Sequence, residues 1–251
     1  MERMVRLSLR SRGGENKISS AVKILIMPDK SPFKIEPDRV LAGSRRVPGA
    51  DPDSFKVLLA GWAKDKAQVY CNAGIVTGAD PQSFEALNVL FARDARAVYY
   101  VGRVMKGVDP RCFEVLDTGE YKSFWGNSVF QGYARDKQSV FYFSYDDTKP
   151  SVVRGADPLT FEVLKSVYAR DSKSAYYAGR PIKKADRDTF KVVEFNYACD
   201  RQHAFYCERL IVGAEVDMFE VVDMNRSRAH DSKRLYEWEF SVDQYIPDIE
   251  L

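Results

Sequence analysis

The chain has 251 residues, 45% of them hydrophobic, and its 38 Lys and Arg nearly balance 36 Asp and Glu, leaving a formal charge of +2. That length can bury one or two substantial cores. So small a net charge sets up no global field to draw nucleic acid or an anionic membrane, so neither is an expected partner.

In chain order, residues 1–35 come first as a basic leader. Residues 1–48 carry eleven Lys or Arg against five Asp or Glu. The opening stretch is charged throughout, and its best apolar run, Val22 to Met27, is broken by Lys23. No export signal and no membrane span is expected from it, which points to a cytoplasmic protein. Residues 36–48, EPDRVLAGSRRVP, read as a degenerate half of the unit that follows.

Six units then begin at Gly49, Gly78, Gly107, Gly155, Lys184 and Gly213, spaced 29, 29, 48, 29 and 29 residues apart. Self-similarity at such a period marks a repeat architecture. The first half of each unit runs GADPxSFxVL or a close variant. Its Phe column is complete: Phe55, Phe84, Phe113, Phe161, Phe190 and Phe219. Two residues on stand Val57, Ala86, Val115, Val163, Val192 and Val221, a period-two spacing that places both columns on one strand face. The second half, typified by YARDSKSAYY, carries an Asp followed five residues later by Tyr, Phe or Leu-Tyr: Asp65, Asp94, Asp136, Asp171, Asp200 and Asp231. An Asp at the head of a tight turn accepts from backbone N–H groups just ahead of it. Gly-Ala-Asp-Pro supplies a reversal, a cap and a residue suited to a first helical turn.

The fold expected from these elements is mainly β: tandem repeats of short strands and tight turns, with single helical turns at the GADP segments, forming a curved or open repeat array over residues 36–240. Each unit is too small to bury its aromatics alone, so neighbours must stack. The 48-residue spacing reads as an extra half-unit at 133–154, preceded by a second half that has lost its Asp. Residues 241–251 are a tail.

The string GADPxTFEVLxxxYARDxxxxYYxG, with Asp65-Lys66 through Tyr70, Asp94 through Tyr100 and Asp171 through Tyr177, resembles the bacterial DKNYY repeat family. The resemblance spans nearly the whole chain. It implies a repeat fold and carries no catalytic residues.

Chemistry-bearing patterns are sparse. The sequence holds two histidines, His203 and His230, each beside a turn Asp, and no nucleophile, zinc or phosphate-loop motif. Cys71, Cys112, Cys199 and Cys207 occupy four different columns, so four free thiols are expected. The repeated acids read as capping and turn residues, since none has the clustered oxygen ligands of a calcium loop. No catalytic residue, metal or cofactor is expected. Two readings of function follow. One is a non-enzymatic protein that binds another protein, as inhibitors and toxin-neutralising (immunity) proteins do. The alternative is a glycan or cell-wall module whose outward tyrosines form a stacking ladder. For a protein partner, the strongest break in the repeat is residues 117–132, and within it Tyr121, Phe124, Trp125 and Phe130 are the candidate anchors.

Overall fold

The computed structural model describes residues 32–242 except 60, 118–119, 123–127, 145–146, 166, 195, 224–227 and 238–239. Most of the basic leader and the last nine residues thus lie outside the described region. Among the described residues seven antiparallel sheets follow one another, each a meander whose strands pair in chain order, with one inserted hairpin arm interrupting that order in sheet IV. Sheet I has three strands, Phe33–Glu36, Arg39–Ala42 and Arg45–Arg46. Sheets II to VII are the six units. In sheet II the strands are Lys56–Leu59, Trp62–Lys64, Val69–Cys71 and Gly74–Ile75. The sequence boundaries shift slightly at both ends. The first sheet starts at Phe33, and Phe240–Val242 is the fourth strand of sheet VII.

The core lies between the sheets. Six hydrophobic clusters fill the six interfaces, each drawing residues from two consecutive sheets. The repeated Phe is their hub. Phe84, just ahead of the first strand of sheet III, sits 5.6 Å from Trp62 of sheet II and 5.6 Å from Tyr99 of its own sheet. The same triplet recurs as Phe33–Phe55–Tyr70, Phe91–Phe113–Phe141, Tyr133–Phe161–Tyr176, Tyr168–Phe190–Phe205 and Tyr197–Phe219–Tyr236. Phe33 takes the role of Trp62, which is why sheet I can end the stack with three strands. The second column is less deeply placed. Val57 is exposed, and Val115, Val163, Val192 and Val221 lie half-buried against the cores.

The GADP segments form hydrogen-bonded turns, as where Ser54 N–H donates to Asp51 O, and among the described residues a 3-10 helix occurs at Val216–Met218. One expectation is corrected. Residues 133–154 are not an additional half-unit. They complete the unit that begins at Gly107, since Tyr133–Arg135 pairs with both Glu114–Val115 and Val140–Tyr142. The long spacing arises from a hairpin inserted between the first two strands of sheet IV. Its arms are Glu120–Lys122 and the beginning of the eight-residue strand Ser128–Arg135.

Candidate partner-binding surface

The repeated acids are joints of the fold. Asp94 is buried, and its Oδ1 accepts the backbone N–H groups of Arg96 and Ala97, each at 2.8 Å, closing the hairpin turn. Its Oδ2 accepts the Tyr99 hydroxyl at 2.8 Å and the N–H of Asp80, in the preceding GADP loop, at 2.9 Å. Asp65, Asp171 and Asp231 are held the same way, by Tyr70, Tyr176 and Tyr236 and by the N–H groups of Asp51, Asp157 and Glu215. Burial pushes the Asp94 carboxyl up, but the four donors outweigh it and hold the group below its ordinary range. Where the column carries Phe205 in place of Tyr, His203 Nδ1 approaches Asp200 Oδ2 at 3.4 Å, partly filling the missing hydroxyl's place. The GADP acids are engaged too. Asp51 accepts Ser54 Oγ at 2.6 Å and pairs with Lys66 at 2.8 Å.

Basic residues of the second strand couple successive units. Arg93 Nη1 donates to the carbonyls of Pro110 and Phe113 in the next GADP loop, and Arg135 does so to Pro158 and Phe161. The small polar clefts beside Asp94 and Asp171 lie at equivalent repeat positions along this joint.

The expected outward tyrosine ladder does not form among the described residues. The first member of each pair is buried, and where it is Tyr99 or Tyr176 its hydroxyl donates to the turn Asp. The second packs its ring on the aromatic directly across the sheet: Tyr100 on Phe91, Tyr142 on Tyr133, Tyr177 on Tyr168 and Tyr206 on Tyr197, with centroids 4.8–5.4 Å apart. Their polar tips are also engaged, the Tyr100 hydroxyl donating to Ser144 O and that of Tyr177 to Asn196 Oδ1.

Of the four anchors suggested by sequence, Phe124 and Trp125 lie outside the described residues. Tyr121 stands on the inserted hairpin opposite Val129, and its side chain is likewise outside them. Phe130 is only 2% exposed, buried in the core between sheets III and IV, so it supports packing and offers no side chain to a partner.

An open surface lies elsewhere in the same pair of sheets. A groove of about 490 Å³ runs between the fourth strand of sheet III, Arg103–Met105, and that of sheet IV, Ser151–Val152. Buried Tyr100 and Phe141 form its floor. Val104 and Val152, 51% and 56% exposed, border it, and Arg103, Lys106 and Lys149 stand at its rim. Among the described residues these three cations have no acidic partner. The sequence signal for this site was weak. The segments RVMKG and TKPSVVRG fall in columns that vary from unit to unit, so no recurring pattern flags them.

Among the described residues, no group of three or more His, Cys, Asp or Glu could hold a metal ion, and no helix is long and apolar enough to cross a membrane. Cys71, Cys112, Cys199 and Cys207 are free thiols.

Fold and site together define a tandem β-meander repeat protein whose units are each closed by a buried Asp turn and stacked through aromatic cores. The DKNYY family model matches residues 33–88 and 75–145, so this stretch is similar to that family, and sheets V to VII continue the same columns. No curated protein and no solved structure matches the chain.

Proposed function

We propose that this chain is a non-enzymatic bacterial interaction protein that works in the cytoplasm by binding another protein, in the manner of an inhibitor or toxin-neutralising protein. The observation that carries this reading is the groove between sheets III and IV, where exposed Val104 and Val152 border a rim of three cations that have no acidic partner among the described residues. Exposed apolar side chains next to uncompensated charge are the composition of a recognition surface. The chemistry that recurs through the repeat supports it from the other side. The buried turn acids accept donors from their own fold, and the tyrosine rings are covered by neighbouring rings. The free thiols agree with a reducing compartment.

The test is affinity capture of the intact chain from its native cells after brief cross-linking, followed by reconstitution with each purified candidate by isothermal titration calorimetry. One protein binding stoichiometrically at micromolar affinity or better is the expected result. Failure of every captured protein to bind on reconstitution sinks the proposal, as does turnover of a substrate by the chain alone.

A further inference from the structure

Within that reading, we infer that the groove between the fourth strands of sheets III and IV takes an extended acidic segment of the partner, with β-branched side chains at alternate positions. The backbone gives the first reason. Among the described residues Arg103–Met105 and Ser151–Val152 are each the terminal strand of their sheet, an edge to which a strand can be added. An added strand sends successive side chains to opposite sides. Beside Arg103–Met105, one set then lies next to Val104, and the other next to Arg103 and Met105 on the groove side, where Lys149 and Val152 stand across from them.

Charge gives the second reason. Among the described residues the three rim cations lack acidic partners, and the equivalent edge is basic again in sheet V, with exposed Arg180, Lys183 and Lys184, and in sheet I, with exposed Arg45 and Arg46, the sheet II strand Gly74–Ile75 being uncharged. Arg180 is already engaged by Glu208. Exposed Asp147 is an acid on the loop leading to Lys149, and its carbonyl lies 3.5 Å from the Tyr100 hydroxyl. A second copy of this edge is disfavoured by like-charge repulsion. Acidic side chains supply what the edge lacks.

Nucleic acid offers negative charge too, but single strands are gripped largely by stacking on open aromatic faces. The aromatics here, Tyr100 and Phe141, are 3% and 7% exposed and already packed against other rings. The exposed apolar groups are valines, which suit a strand.

Fluorescence anisotropy with the full chain tests this, using a labelled (Glu-Val)4 peptide, a (Glu-Gly)4 peptide and a labelled oligothymidylate. The wild-type chain should bind (Glu-Val)4 in preference to both others. The exposed double variant R103E/K149E should keep its circular dichroism and weaken that binding about tenfold or more, the loss of two rim contacts of ordinary strength. Val104→Asn should weaken (Glu-Val)4 while leaving the residual affinity for (Glu-Gly)4 unchanged. Absence of (Glu-Val)4 binding overturns the inference. Equal or tighter binding of the oligothymidylate also overturns it, since the edge is then a general polyanion surface. A reconstituted native partner that binds wild type and R103E/K149E equally sinks the groove while leaving the protein-binding reading intact.

Discussion

The hydroxyl of Tyr99 donates to Oδ2 of Asp94 at 2.8 Å, and the same oxygen receives the N–H of Asp80 from the loop that enters the sheet. One carboxylate therefore fixes a hairpin turn, the third strand and the incoming connection. Removing either partner should have unequal effects. Asp94→Ala leaves three backbone N–H groups and a hydroxyl without their acceptor and should cost about 3 kcal/mol or more. Tyr99→Phe loses one bond, and Phe141 and Phe205 already fill this column in sheets IV and VI, so about 1–2 kcal/mol is expected. Urea denaturation of the two variants checks the order, and equal losses would refute the shared-acceptor account.

Stability should also depend on pH in a defined direction. Asp65, Asp94, Asp200 and Asp231 are pushed up by burial but held below the ordinary carboxylate range by their donors. A depressed folded pKa gives stability that is present above the unfolded value, about 3.9, and is lost as pH falls through the folded one. The denaturant midpoint should decline from about pH 5 downward. On the alkaline side, burial and then the bond to Asp231 push Tyr236 up to about 12, and Tyr70, Tyr99 and Tyr176 are raised for the same reasons. Stability from these groups is full below the unfolded value of about 10 and falls as pH rises beyond it. A midpoint that stays flat from about pH 5 to 3 contradicts the assignment.

Phe84 and Phe161, 4% and 5% exposed, each lie between an aromatic of the preceding sheet and one of their own. Truncation to Ala empties the centre of an inter-sheet core and should cost about 3–5 kcal/mol at either site. An unchanged denaturant midpoint in both variants would show that these rings do not join the sheets.

Two glycines with nearly the same backbone should respond differently. Gly155 has φ +79° with nothing within 4 Å of a built Cβ, whereas at Gly179, φ +76°, the Cβ would lie 2.7 Å from Cβ of Tyr142 in the preceding sheet. Gly155→Ala should cost only the left-handed penalty, about 1 kcal/mol. Gly179→Ala adds a backbone-level clash and should cost about 2–4 kcal/mol. Thermal melts that rank the two equally would rule out the close approach.

Lys184 has φ +68° in a column where Gly49, Gly78, Gly107, Gly155 and Gly213 have φ of +69° to +80°. Lys184→Gly should raise stability by about 0.5–1 kcal/mol, since relief of the left-handed strain exceeds the entropy cost of the added Gly. A lower melting temperature would argue that the Lys184 side chain contributes more than its backbone strain removes.

The sequence alone determined the repeat, its β character and the turn role of the acids. Those properties follow from local chemistry at fixed spacing: Asp65 closing its own turn, Gly78 permitting a left-handed backbone, Phe84 recurring where a core must form. It misread the 48-residue unit, because an inserted hairpin between Val115 and Tyr133 shares the alternating aromatic pattern of a strand pair, and only pairing distinguishes them. The second oxygen of each turn Asp, the packing of paired tyrosines and the burial of Phe130 required the tertiary structure. So did the groove. Val104 and Lys149 are 45 positions apart in the chain, and only the stacking of sheet IV on sheet III makes neighbours of them.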